Sequence, residues 1–306
     1  MKIGGLAISA ACLLLAGCGG SDGGGLTTSP PPPPPPPATP LPLKVSASYD
    51  AFTAMLNYND PLGGNRTFNQ ASLGAQGTAT FSYDATSGTY AVSSNGISAS
   101  FGQSDQIADT SYSDTFSKTT GPVSDSIKLY GNARSDTAGT PEVVLSYTSF
   151  GVWTHSDGTT AQTTKTYFLY GQQTATTDMP TTGTATYQMT AAAHEFPGPI
   201  AGSDRVTGTA TLNANFGTGT VDAAIKLGDT FNGTGKISTN QFSGTLTGID
   251  PSATTSGTFA GSFFGPAAKE AGMVFQIHVH VADPYAGASV RAMDTYIAGA
   301  AVGPKT

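Results

Sequence analysis

The stretch GTFAGSFFGPAAKEAG, Gly257 to Gly272, combines glycines, aromatic residues and one proline in a tight pattern. Gly261 and Gly265 allow neighbouring chain segments to approach closely at a turn, because glycine lacks a Cβ. Pro266 ends the strand, since proline has no N–H to donate to a sheet. The packing surface comes from Phe259, Phe263 and Phe264. The pattern predicts a half-buried strand that ends in a sharp turn.

Runs with one apolar face continue on both sides of this stretch. Gly183, Ala185, Tyr187, Met189 and Ala191 alternate with polar residues, which is the period of a strand with one face buried. The other runs are Val206–Phe216, Val221–Leu227, Phe231–Ile237, Phe242–Ile249, Gly257–Phe264, Met273–Val281 and Met293–Val302. Eight closely spaced antiparallel strands of this kind predict a closed eight-stranded β-barrel over 178–306, because closure leaves no free edge. A two-sheet sandwich is the alternative on pattern alone.

The preceding region, 43–177, shows shorter alternating runs divided by turns. Val143–Trp153 and Thr163–Tyr170 flank an Asp-Gly turn and predict a hairpin. Asp50 could cap one short helix that runs through Asn57. The fold class expected for the chain is therefore all-β, with a β-rich N-terminal domain followed by the antiparallel barrel.

The first 42 residues have the pattern of an export and anchoring segment. A positive start at Lys2 and an apolar run end in LAGC, which matches the lipobox of bacterial lipoproteins and indicates a signal peptide over 1–17. Cys18 then carries the lipid, and 18–42 forms a Gly/Pro-rich stalk. By analogy with other lipoproteins, the lack of aspartate after Cys18 favours the outer membrane. An ordinary signal peptide and a Pro-rich ligand segment are the rival interpretations.

The amino-acid composition argues against two functional classes, nucleic-acid-binding proteins and enzymes. The net charge is -7, which disfavours a phosphate-rich partner, so we expect no nucleic-acid binding. The chain holds four histidines and only three glutamates, so acid/base chemistry has few candidates. We expect a binding protein and no enzyme.

His278 and His280 form the most suggestive short motif. Residues two apart on a strand share a face, so both imidazoles could ligate one metal ion or haem. Missing ligands would come from Glu270, Asp283 or a loop. The alternative places both histidines on the outer barrel wall, because the apolar residues that alternate with them, Phe275, Ile277, Val279 and Val281, face inward.

Other polar and aromatic candidates receive simpler interpretations. His194 and Glu195 are expected in a loop between the first two barrel strands, and His155 beside a turn. Trp153 is expected in the core. Tyr112 and Phe116 fall in Gln103–Ser124, which lacks a clear strand rhythm and is a candidate ligand-contact loop.

The stretch that opens this section resembles the hallmark of the barrel domain of transferrin-binding protein B and its relatives, usually Gly-x-Phe-x-Gly-x-Phe-Tyr-Gly-Pro-x-Ala-x-Glu. Phe264 stands where tyrosine is usual, and Ala271 and Gly272 stand where a Gly-Gly pair is common. The residues that carry the hallmark, all interpreted as structural, are Gly257, Phe259, Gly261, Phe263, Gly265, Pro266 and Glu270. Other matching segments are SFGVW from Ser149, YFLYG from Tyr167, MPTTGTATY from Met179 and FSGTLTG from Phe242.

The resemblance implies a β-rich handle domain before the barrel and export to the cell surface on a lipid anchor. It also implies capture of a protein or of a small iron-containing or haem-containing ligand for uptake, with an outer-membrane receptor or export pore as a further partner. No cofactor is expected unless His278 and His280 bind haem or metal directly. A structural or immune-shielding adhesin is the remaining alternative.

Overall fold

The computed structural model describes residues 43–62, 64–109, 113–131, 133–134, 143–197, 205–282 and 293–306. The predicted signal peptide, Cys18 and the predicted stalk therefore lie outside the described residues, as do Tyr112 and Asp283.

The N-terminal part of the described chain is built from strands. They are β1 (Ala47–Asn59), β2 (Thr67–Asp84), β3 (Thr89–Ser94), β4 (Ile97–Phe101), β5 (Gln106–Asp109), β6 (Ser113–Thr120), β7 (Val123–Tyr130), β8 (Ala133–Arg134), β9 (Val143–Val144), β10 (Thr148–Asp157) and β11 (Gln162–Gly171). Nine of them form one sheet in the order β4-β3-β2-β1-β11-β10-β7-β6-β5, and β8 pairs with β9. We call the nine-stranded sheet the handle sheet.

The C-terminal part is a closed antiparallel barrel of eight strands, β12 to β19 in chain order. They are β12 (Thr184–Phe196), β13 (Arg205–Asn215), β14 (Thr220–Leu227), β15 (Asp229–Ser238), β16 (Gln241–Gly248), β17 (Ala253–Phe264), β18 (Glu270–Val281) and β19 (Met293–Pro304). Single-turn 3₁₀ helices occur at Gln103–Asp105, Thr176–Asp178 and Pro266–Ala268. The predicted all-β fold and the eight-stranded barrel are confirmed, and the sandwich alternative is wrong.

Closure depends on pairing between the first and last barrel strands, where Thr190 lies opposite Val302. The alternating apolar residues of every strand meet inside the barrel in one buried cluster that includes Leu212, Phe259 and Phe275. Tyr187 is fully buried there and donates its hydroxyl to the carbonyl oxygen of Ala268 over 2.7 Å. The barrel axis is therefore filled by side chains.

The handle sheet has apolar residues on both faces. Its inner face holds an aromatic core that includes Phe81, Phe168 and Trp153. Its other face packs against the outer wall of β12, β18 and β19 through a third cluster. Buried members of that cluster on the barrel side are Ala192, Phe264 of β17, Val274, Ala298, Ala300 and Val302. Both parts fall within one compact unit.

Three local predictions are wrong. The suggested helix from Asp50 through Asn57 is part of strand β1. The predicted loop at His194 and Glu195 is the end of strand β12. Gln103–Ser124, predicted to lack strands, holds β5, β6 and the start of β7.

The first two errors share a physical cause. Phe52, Leu56 and Ala192 are buried between the handle sheet and the barrel, on strands whose opposite face is also largely buried. Such strands lose the simple alternation of apolar and polar residues.

Candidate functional site

The two histidines proposed for metal binding lie on the outer wall of the barrel near one end. His278 Nε2 and His280 Nδ1 each lie 2.9 Å from the same oxygen, Oδ1 of Asp294. Asp294 lies opposite His280 on the neighbouring strand β19. These hydrogen bonds, first that of His280 and then that of His278, lower the pKa of the Asp294 carboxyl. The cluster is a solvated network with its carboxylate held in the charged form.

An aromatic stack joins this cluster to the handle sheet. The ring of His278 stacks on Tyr296 with centroids 4.5 Å apart, and Tyr296 stacks on Phe68 of β2 with centroids 3.5 Å apart. Stacking fixes the His278 ring at the border between barrel and handle. Among the described side chains, no group of three or more His, Cys, Asp or Glu is arranged to hold a metal ion.

Glu270, considered from sequence as a further metal ligand, lies at the opposite end of β18 from the histidines. Its carboxylate is 2% exposed and accepts the backbone N–H groups of Ser146, Tyr147 and Thr148 over 2.7, 2.9 and 3.0 Å. Burial raises the pKa of the Glu270 carboxyl, and the three N–H donors oppose that rise. Glu270 therefore attaches the barrel to the segment before β10 and is not available to the His278 cluster.

The hallmark turn lies beside this attachment. Gly265 has φ +71°, and a Cβ on it would lie 2.5 Å from the ring of Tyr147. Its N–H donates to the carbonyl oxygen of Gln172 over 3.0 Å, and its carbonyl accepts the Thr174 hydroxyl over 2.7 Å. Pro266 starts a 3₁₀ turn immediately after it.

The remaining hallmark residues lie on β17 and face the barrel interior. Phe259 and Phe263 belong to the barrel core. A Cβ on Gly257 would lie 2.8 Å from the carbonyl oxygen of Gln276, and one on Gly261 would lie 2.1 Å from that of Gly272. These glycines permit close pairing of β17 with β18.

The candidate residues of the handle occupy other positions. Trp153 is 3% exposed and is a core residue, as expected from sequence. Phe116 is also 3% exposed and packs against Tyr90, so it cannot serve as a surface anchor. His155 lies on β10 with Nδ1 2.9 Å from Oδ1 of Asp125. His194 is buried between the two parts, with Nδ1 2.8 Å from the hydroxyl of Tyr167.

The end of the barrel near His280 exposes large apolar side chains. Ile249 follows β16, and Val281 and Met293 lie opposite each other at adjoining strand ends. Their exposed fractions are 61%, 37% and 60%. We call Ile249, Val281 and Met293 the apolar rim. Exposed apolar residues that cluster in this way are typical of contact surfaces.

The barrel can be compared with known families. Residues 179–296 match the family model described as the C-lobe and N-lobe beta barrels of Tf-binding protein B. The barrel is transferrin-binding protein B-like. The resemblance seen in the hallmark is thereby confirmed.

Three solved structures are similar to parts of this chain. Transferrin Binding Protein B from Haemophilus parasuis Hp5 is 14% identical with a TM-score of 0.42, over 83% of this chain and 46% of that one. Intact Ap-TbpB, with N and C lobes, is 11% identical with a TM-score of 0.43, over 86% of this chain and 77% of that one. HpuA from Kingella denitrificans, solved with human haemoglobin, is 14% identical with a TM-score of 0.40, over 86% of this chain and 88% of that one.

The chain thus spans less than half the length of the first of these structures. No curated protein matches the chain by sequence. Within the described ranges, no helix has the length and hydrophobicity needed to cross a bilayer.

Proposed function

We propose that this chain is a lipid-anchored protein of the outer membrane surface that captures a protein or an iron-containing or haem-containing ligand for uptake. The observation that carries the proposal is the match of residues 179–296 to the barrel family of a transferrin-binding protein. Cys18 would carry the lipid, and an outer-membrane receptor or export pore would be a further partner. Capture needs no catalytic group, so the chain acts as a binding protein and not as an enzyme.

The filled barrel supports recognition at its surface. Side chains occupy the interior, and one wall is covered by the handle sheet. The ends of the barrel and the open parts of the handle are left for a partner. The apolar rim is the favoured contact surface, because three large apolar side chains stand exposed at one end of the barrel.

Capture from a host or environmental fluid tests this proposal. A fragment covering 43–306 is immobilised, and the retained proteins are identified and analysed for iron and haem. We expect a retained ligand that contains or carries iron. A variant with Ile249, Val281 and Met293 all changed to serine should lose most of this retention, because loss of an apolar anchor in an interface costs about 2 kcal/mol or more.

The matched control is Leu62→Ser, which changes an exposed apolar residue of the handle at the turn after β1. It should retain the ligand as the unchanged fragment does. Retention of a ligand without iron, or cell adherence without any iron dependence, would favour the adhesin alternative and contradict the proposal.

Direct haem or metal scavenging by His278 and His280 stays a prediction. The observation in its favour is that both ring nitrogens lie close to one carboxylate oxygen on an exposed wall. Haem added to the fragment should then give a Soret band that is lost when both histidines are changed to alanine. A band that survives in this double variant would exclude the pair as the haem ligands.

A further inference from the structure

A row of polar side chains crosses the inner face of the handle sheet at one open end. Asn57, Thr164, His155 and Asp125 lie opposite one another in register on β1, β11, β10 and β7. We call these four residues the polar row. The next row inward begins the aromatic core with Trp153. The polar row is thus the boundary between the buried core of the handle and the solvent.

A cavity of about 360 Å³ lies over this row. The other residues that line it are Met55, Gln70, Ser94, Asn95, Ile97, Trp153, Gln162 and Thr166. Asn95 comes from the turn between β3 and β4, Ile97 is the first residue of β4, and both line the cavity over the row. Small-ligand sites have volumes of roughly 300 to 1,000 Å³ and often occupy the mouths of β-barrels.

The Asp125 carboxylate fixes the imidazole of His155. Asp125 is 8% exposed, and its Oδ1 accepts the indole N–H of Trp153 over 2.9 Å and contacts Nδ1 of His155 over 2.9 Å. A carboxylate only accepts hydrogen bonds, so Nδ1 carries the proton, and in the neutral imidazole Nε2 is an acceptor. His155 therefore offers an oriented hydrogen-bond acceptor.

The neighbouring residue of the row offers a donor. Asn57 donates Nδ2–H to Oγ1 of Thr164 over 2.7 Å, and its own Oδ1 accepts from Asn69 over 2.9 Å. The hydroxyl hydrogen of Thr164 can then point away from Asn57, because a hydroxyl accepts and donates at once. Acceptor and donor lie next to each other on paired strands.

The charges of the lining select the class of ligand. The residues that line the cavity include no lysine, arginine, aspartate or glutamate. The carboxylate behind it is already paired with Trp153 and His155. A charged ligand would lose hydration without gaining a counter-charge. The lining instead combines hydrogen-bond donors, acceptors and apolar side chains, which suits a ligand with several hydroxyl groups on a carbon skeleton.

We propose that this cavity binds an uncharged polyhydroxyl solute of about monosaccharide size, with a ligand hydroxyl donating to Nε2 of His155 and accepting from Thr164. The site is separate from the apolar rim, and it does not depend on the capture function proposed above.

The test uses the single tryptophan of the chain as its reporter, because Trp153 lines the cavity. Fluorescence of the full chain is titrated separately with glucose, galactose and N-acetylglucosamine up to about 100 mM, a range that covers millimolar affinities. We expect a saturable change with at least one of these sugars. Glucose 6-phosphate should bind at least about tenfold more weakly than glucose, since the lining offers no cation.

Two variants locate the response. His155→Phe and Thr164→Val should each weaken binding at least about tenfold, and the conservative Thr164→Ser should restore it. Thr164→Val nearly keeps the shape of the side chain, so it remains informative if His155→Phe folds poorly. Thr258→Val, at an exposed threonine of the barrel strand β17, is the matched control and should bind as the unchanged chain does. No saturable response to any of the three sugars, or an unchanged response in the Thr164→Val chain, would overturn the proposal.

Discussion

At the scale of single residues, the carboxylate of Asp294 forms hydrogen bonds with two histidines. Its Oδ1 lies 2.9 Å from a ring nitrogen of both His278 and His280. A depressed pKa means that the folded state holds the charged carboxylate more firmly than the unfolded chain does. The stabilisation is therefore present above the pKa of unfolded aspartate and is lost as the pH falls through the depressed value.

The direction of the Asp294 pKa shift can be checked by NMR titration of its carboxyl carbon. Its midpoint should lie below the usual pKa of aspartate in the unchanged chain. With His278 and His280 both changed to alanine, the midpoint should return toward the usual value, because the two side-chain hydrogen bonds to the carboxylate are removed. Asp250, whose pKa is lowered by Ser252 of its own turn, is the internal control and should not move.

Sequence alone named His278 and His280 but missed Asp294. The missing information is the pairing register of β18 with β19, which brings Asp294 opposite His280 although 13 residues separate the two in the sequence. A local motif carries no information about a partner on another strand. Phe116 was misassigned for a related reason, since its burial depends on contacts with Tyr90 of a distant strand.

At the scale of the strand, the approach of β17 to β18 depends on glycines that face inward. A Cβ on Gly261 would lie 2.1 Å from the carbonyl oxygen of Gly272 and 2.8 Å from the ring of Phe242. Backbone cannot move aside as the end of a flexible side chain can. The close approach is therefore a property of the strand pair and not of one side chain.

Gly261→Ala should accordingly destabilise the protein by about 1 to 3 kcal/mol, the usual cost of overpacking. Urea denaturation followed by circular dichroism measures this change. Gly217→Ala is the control, because its Cβ would lie at an ordinary 3.5 Å from Asn215 in an exposed turn. Equal stability of the two variants would show that β17 can relax away from β18.

The barrel strands were predictable because most of them bury one face only. Leu212 and Ala214 alternate with the polar Asn213 and Asn215, which gives the period of two directly. Strand β1 and the end of β12 were not predictable in this way, since their outer faces pack between the two parts of the molecule. The two wrong predictions therefore fall on the strands that form the buried contact between the handle sheet and the barrel.

At the scale of the whole molecule, Glu270 joins the barrel to the handle. It is the last residue of the hallmark, and its carboxylate accepts three backbone N–H groups from Ser146–Thr148. Without it, three N–H groups would remain in a site from which water is largely excluded. Each unsatisfied buried donor costs about 1 to 3 kcal/mol.

Glu270→Ala should therefore lower the free energy of unfolding by about 3 kcal/mol or more. Hydrogen exchange measured by mass spectrometry should show faster exchange first at Ser146–Thr148 and in the adjoining strand β10. Asp250→Ala removes a carboxylate that is bound only within its own exposed turn, so it should leave exchange in these segments unchanged. Uniform acceleration across all strands would contradict a local joining role.

Under the capture function proposed above, the filled interior of the barrel also bears on how a captured molecule would leave. A lipocalin-like barrel holds its ligand in its interior, whereas the interior of this barrel is filled by its own phenylalanine and aliphatic side chains. Cargo held on the outside can be passed to a second receptor by competition for the same contacts. Transfer to that receptor would then need no opening of the barrel. Its rate would be set by the rate at which the ligand dissociates from the surface.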